Sequence, residues 1–170
     1  MEQPDFATIA VGVSDDGMQG RLTLARPDKL NPLSFEPLEE IVAAAAWFDT
    51  QPGLKVVVVA GQGRSFSSGA DISAFAGTSD VEADVRHAVD AGRRMADALE
   101  AMRPVTVASI HGHCVGGGVV LAAACDLRIA ASNAVFRIPE IDLGIPLAWG
   151  GIPRLVREIG PALAKELVMT

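Results

Sequence analysis

The chain has 170 residues, 49% hydrophobic and 21% charged, enough apolar material for one buried core in an α/β protein. Its formal net charge of −7 argues against nucleic acid or an anionic membrane as the main partner, because both reward clustered Lys and Arg. Two cysteines, Cys114 and Cys125, are too few for a disulfide framework and are not spaced for zinc. The start MEQPDFATIA has no basic-then-apolar leader, and no apolar run reaches the ~18 residues of a membrane span, so a cytoplasmic protein in a reducing compartment is expected.

Thr8 to Val13 and Gly20 to Ala25 are rich in β-branched and aliphatic residues and flank Ser14-Asp15-Asp16-Gly17, whose turn chemistry predicts a β-hairpin. After Arg26-Pro27 and Asn31-Pro32, Ser34 is placed to cap a helix running to about Asp49, with Leu38, Ile41, Val42, Ala45 and Ala46 on one face. Pro52-Gly53 stops it. Lys55 to Ala60 is a continuous apolar run, the pattern of a parallel strand buried on both faces. A Gly/Ser-rich loop from Gly61 to Asp71 follows, then a helix from about Asp80 to Met102 that Ser79 and Glu82 would open as a capping box. Val105 to Ile110 reads as a second buried strand, Gly116-Gly117-Gly118 leads into an apolar helix from Val119 to Ala124, and Leu127 to Ala130 makes a short strand. The repeated β, α order without linker or repeat predicts one domain over residues 1–170.

Three consecutive glycines between a buried strand and a helix are costly in backbone entropy and mark a close backbone approach, either to a neighbouring element or to a ligand. The loop Arg64-Ser65-Phe66-Ser67-Ser68-Gly69-Ala70-Asp71-Ile72 also follows a buried strand and is also built of small residues. Two such loops can aim two N–H groups at one oxygen, as stabilising a thioester enolate requires.

Phe66 to Ile72, ending its core in Gly-Ala-Asp, resembles a segment of the crotonase (enoyl-CoA hydratase/isomerase) family, and His111 to Gly118 resembles that family's second glycine-rich loop. Cys125-Asp126-Leu127-Arg128 and Pro139-Glu140-Ile141-Asp142-Leu143-Gly144-Ile145-Pro146 continue the match in order, and Arg26-Pro27 through Ser34 shares the family's character. The resemblance implies a spiral of ββα turns. It places the N–H groups of Ala70 and Gly117 in an oxyanion hole, and Ser68, Asp71 and Ile72 along the adenine and pantetheine part of CoA. Lys29 and Arg26 become neighbours of the CoA phosphates, against the plainer reading of solvated surface cations. It implies an acyl-CoA substrate, no metal and no cofactor beyond the CoA of the thioester, and a homotrimer or dimer of trimers. The family's helical C-terminal region, which covers the acyl site and joins subunits, is expected to be largely absent from a chain stopping at Met169-Thr170. The apolar surface so exposed favours oligomerisation.

Hydratases of this family use two glutamates. Here the first position is Val120 and the second is Glu140, so the resemblance implies a one-carboxylate acid/base, the equipment of an enoyl-CoA isomerase. An apolar site would raise the Glu140 pKa and make it a better base, whereas a surface cap or ion pair would leave it inert. Asp142 is a weaker candidate for a second carboxylate. The alternatives are a hydratase with another water-activating group, a non-catalytic acyl-CoA binder, and a Cys-nucleophile α/β-hydrolase built on Gly112-His113-Cys114-Val115-Gly116. That last order fails because His87, His111 and His113 all precede Cys114; His111 and His113 read as loop-packing residues. Gly61-Gln62-Gly63 does not complete a dinucleotide fingerprint, since Phe66 stands where its third glycine would fall.

Overall fold

The computed structural model describes residues 2–71 and 81–170, the side chains of 81–85 excepted. The N-terminal hairpin pairs β1 (Ile9–Val13) with β2 (Gln19–Leu24) in antiparallel register, Val11 opposite Leu22. From there the chain repeats one unit: a strand added to the main sheet, a two- or three-residue strand, then a helix. The first unit is β2, β3 (Pro32–Leu33) and α1 (Phe35–Asp49); the second is β4 (Val56–Gly61), β5 (Gly69–Ala70) and α2 (Val81–Glu100). The third is β6 (Val105–Ile110), β7 (His113–Val115) and α3 (Gly117–Ala123). A fourth begins with β8 (Leu127–Ala130) and β9 (Val135–Arg137), passes a 3-10 turn at Pro139–Leu143 and ends in α4 (Gly151–Met169).

The long strands form a five-stranded sheet in the order β1-β2-β4-β6-β8, parallel from β2 onward. The short strands pair among themselves, β3 with β5 and β7 with β9, and an isolated bridge between Ser67 and Cys114 joins the two pairs. This is the ββα spiral implied by the resemblance.

Period-two burial fixes which face of the sheet meets the helices. Gly20 and Val57 pair across β2 and β4, and a methyl on Gly20 would fall 2.8 Å from the Phe48 ring of α1. Leu22, Leu24, Val57, Val59, Ala108 and Ile110 therefore bury into the core with Leu38, Ile41, Phe48, Met95 and Leu99. The expectation that β4 and β6 are buried on both faces is corrected here. Val56, Val58 and Val107 are only half-buried and Val105 is exposed, because the helices cover one face. At the β8 edge Leu127 and Ile129 are 56% and 66% exposed, and the apolar surface continues through Val135, Phe136, Ile141, Leu143 and Ile145.

Three local expectations also change. Ser34 occupies the cap position of α1 without a capping bond, its Oγ instead accepting from Arg26 Nη1 at 3.4 Å. Leu38, Ile41 and Ala45 are buried as expected, but Ala46 is exposed and Val42 half-buried, and Ala44, Trp47 and Phe48 complete the buried stripe of α1. α3 starts at Gly117, two residues early, because Gly116 at φ 48° turns the chain into the helix. Of the expected capping box, Ser79 lies outside the described residues and the Glu82 side chain is among those excepted. Among those described, no helix is long and apolar enough to cross a membrane.

Candidate functional site

The site lies where the loops after β4 and β6 meet. The first is drawn in by Asn31, 1% exposed, which sits in the left-handed region at φ 54°. Its Nδ2 faces three carbonyls, Gln62 and Ser65 at 2.9 Å and Phe66 at 3.2 Å, while its Oδ1 accepts from the Arg26 N–H. Ser67 Oγ donates to the Asn31 carbonyl at 2.8 Å and accepts from the Gly69 N–H at 3.1 Å. The Ser68 N–H reaches Leu30 O at 2.8 Å and the Asp71 N–H reaches Leu33 O at 3.1 Å.

The second loop is stitched to the first by Ser67 N–H to His113 O at 3.0 Å and Val115 N–H to Ser67 O at 3.1 Å. Gly116 and Gly117 open α3, whose first N–H groups have no acceptor within the helix. The approach is close: a methyl on Gly69, itself at φ 88°, would fall 2.5 Å from Val115 O and 3.4 Å from Gly117 N. A methyl on Gly118 would lie 2.9 Å from the Ser67 Cβ. The sequence places Ala70 and Gly117 about fifty positions apart; the fold brings their loops into contact.

Glu140 enters from the 3-10 turn between β9 and α4. Its carboxylate occupies the space a side chain on Gly116 would fill, with Oε1 2.3 Å from that imaginary methyl. Oε2 is shielded from solvent and has no hydrogen-bond partner. Burial pushes its pKa above the ordinary 4.5, against a smaller lowering by its own backbone N–H. An orphaned, desolvated carboxylate is the environment a general base needs. Val120 is buried and packs under α4, where a methyl on Gly151 would fall 2.6 Å from Val120 Cγ2 and 2.9 Å from Leu147 Cδ2.

The remaining expected site residues divide. Ser68 and Asp71 are half-buried on the first loop, and Ile72 lies outside the described residues. Lys29 is exposed on the one-turn helix Pro27–Lys29, and Asp142 is exposed. His111 packs into the loop, its Nε2 2.9 Å from Gly63 O. Cys114 is buried and its thiol is pushed up to about 12 by burial, which removes the nucleophile the α/β-hydrolase reading requires. Among the described residues no group of three or more His, Cys, Asp or Glu side chains is placed to hold a metal ion.

Four residues with roles in this geometry escape a reading of the sequence: Asn31, Ser67, Trp149 and Arg154. Buried Arg154 donates from Nη1 to the carbonyls of Trp149 and Gly150, both at 3.2 Å, and from Nη2 to Asp97 at 2.7 Å and Glu100 at 2.6 Å. A cation three to five residues past an aromatic and a glycine was the available signal; its partners on α2 are more than fifty residues away.

The model of the enoyl-CoA hydratase/isomerase family matches residues 19–170. Crotonyl-CoA hydratase of Syntrophomonas wolfei is 39% identical over 150 residues, 88% of this chain and 57% of that protein. The peroxisomal Delta(3,5)-Delta(2,4)-dienoyl-CoA isomerase of Arabidopsis thaliana is 33% identical over 159 residues, 88% of this chain and 57% of that protein. The crystal structure of enoyl-CoA hydratase from Bacillus anthracis superposes with a TM-score of 0.88 at 35% identity, covering 95% of this chain and 62% of that one. The chain thus spans about three-fifths of the length of the relatives it matches. Two converging glycine loops, a ββα spiral and a family match over nearly the whole sequence lead to one conclusion: the chain belongs to the enoyl-CoA hydratase/isomerase family.

Proposed function

We propose that the site binds an acyl-CoA thioester and shifts a proton on its acyl group, with Glu140 as the sole acid/base and the N–H groups of Ala70 and Gly117 as donors to the thioester oxygen. The observation that carries this reading is the Glu140 carboxylate, held against Gly116 with Oε2 unpartnered. In this mechanism Glu140 takes the proton from the carbon next to the thioester, and the C–H electron pair moves into the enolate. Two preorganised amides meet the charge on oxygen without reorganising. Glu140 then returns the proton two carbons further along, and the double bond moves from the 3,4 to the 2,3 position. Ser68, Asp71, Ile72 and Lys29 are assigned to the CoA moiety, and the working assembly is a homotrimer or dimer of trimers.

Isomerisation is preferred to hydration because position 120 carries an apolar side chain buried against Leu147 and the start of α4. A second carboxylate to activate water is missing there. Hydration through another group is the second reading, favoured by relatives that are for the most part named hydratases. Incubation with 3-enoyl-CoA and with 2-enoyl-CoA in D₂O, beside Glu140→Gln, separates them. Conversion of the 3-enoyl thioester with deuterium entering the acyl chain, lost in Glu140→Gln, is the expected result. Efficient hydration of the 2-enoyl thioester overturns the isomerase assignment, and thioester binding without turnover of either leaves a non-catalytic acyl-CoA binder.

A further inference from the structure

Trp149 is a bulky residue in the left-handed region, at φ 59°, where glycine is the usual occupant. Such an outlier persists only when its surroundings hold it, and here they are visible. Arg154 donates to the Trp149 carbonyl and the next one and is itself anchored on Asp97 and Glu100 of α2. The indole is 5% exposed and lies between two glycines from different helices. A methyl on Gly92 of α2 would fall 2.1 Å from the ring at Cδ2, and one on Gly117 would fall 2.2 Å from the opposite edge at Cζ3. Both helices go without a side chain where the ring rests.

The two consecutive glycines of the second loop therefore face two different groups: Gly116 the Glu140 carboxylate, Gly117 the Trp149 ring. An acyl group whose carbonyl was held at the Gly117 amide, with its first carbon by Glu140, would lie beside the indole that rests on Gly117. Leu147 and Val120 converge on Gly151, two residues past Trp149, and both are buried.

We infer that Trp149 is a specificity-determining residue whose indole closes the acyl-binding site and restricts it to short acyl groups. The inference rests on the acyl-CoA reading of the site. It commits to a substrate class the sequence leaves open: thioesters with a chain of about four to six carbons, because an indole fills the volume that several further methylenes would need.

Calorimetric titration of the chain with butyryl-, octanoyl- and decanoyl-CoA, and with free CoA, tests it on wild type, Trp149→Ala and Trp149→Phe. Wild type is expected to bind butyryl-CoA most tightly, and Trp149→Ala to raise the octanoyl-to-butyryl affinity ratio at least about tenfold. Trp149→Phe keeps an aromatic ring on Gly117 and is expected to fall between; if Trp149→Ala fails to fold, a raised ratio in Trp149→Phe supports the inference and an unchanged one overturns it. The same chain-length profile in all folded variants, with thioesters bound more tightly than CoA, overturns the inference and leaves the proposed function standing. If no thioester binds more tightly than CoA, the proposed function fails and the inference with it. A merely structural Trp149 would lower all affinities together and leave the ratio unmoved, which also overturns the inference.

Discussion

The two loops of the site share backbone bonds but differ in what their side chains contribute. The loop after β4 is tied by directional polar bonds: one carboxamide of Asn31 faces three carbonyls, and the Ser67 hydroxyl is both donor and acceptor. The loop after β6 is bonded through its backbone to Ser67 and β9, and its glycine turn, without a side-chain cap, is set by contact, with the Glu140 carboxylate, the Trp149 ring and Ser67 resting on Gly116, Gly117 and Gly118. Hydrogen bonds fix the direction of a backbone, and packing fixes its depth. A bonded loop is damaged by removing atoms, a packed loop by adding them.

That contrast can be broken or sharpened by experiment. The largest effect is expected from Glu140→Gln, which keeps the packing on Gly116 and removes the proposed base: turnover should fall by about 10²–10⁴ while acyl-CoA affinity holds. Turnover within a few-fold of wild type would show that the packed loop does not carry the chemistry. Asn31→Ala should lower stability in denaturant titration by about 3 kcal/mol, because buried carbonyls lose their donor and alanine must adopt a positive φ. A cost below about 0.5 kcal/mol would show that the first loop does not depend on its polar ties.

Gly117→Ala should cost about 2 kcal/mol by overpacking against the indole, and most of that should disappear in a Trp149→Ala background. Additive costs would mean that the ring and the glycine are not in communication. The smallest effect concerns pH. Burial raises the Glu140 pKa above 4.5, so the folded chain holds this proton more tightly than the unfolded chain. The group favours folding below its ordinary pKa, and that contribution is lost as pH rises through the raised value. The Tm of Glu140→Gln minus that of wild type should therefore grow as pH rises from 4.5, while the acid limb of activity lies above the ordinary glutamate range. A Tm difference that stays flat with pH would place Glu140 in water.

Long regular elements were legible because their apolar runs carry periodicity. Val105–Ile110 and Leu127–Ala130 match their expected bounds, and α1 ends at Asp49 as Pro52-Gly53 implies. The short strands β3, β5, β7 and β9 were not, since two or three residues cannot display a period. α4 was also missed, and its helical pattern is broken at Gly160, φ 76°, before Pro161. Of the site, the glycine loops and Glu140 were legible from the order of their motifs. Asn31 was not, because its acceptors lie 31 to 35 positions away and nothing local marks it. Burial of the central strands on both faces was overcalled because an apolar run tells how greasy a strand is, not how many layers cover it.

The two cysteines offer a use unrelated to their chemistry in the cell. Cys114 is bridged to Ser67 where the loops join, and Cys125 lies two residues past the end of α3; both thiols are buried, with pKa values pushed up to about 12. Neither can be alkylated until the protein around it opens, so the labelling rate of each is a stopwatch for opening at its own position. Labelling of Cys114 faster than Cys125 would register the parting of the two loops without unfolding of the core, and a saturating thioester bound as proposed should slow that clock first.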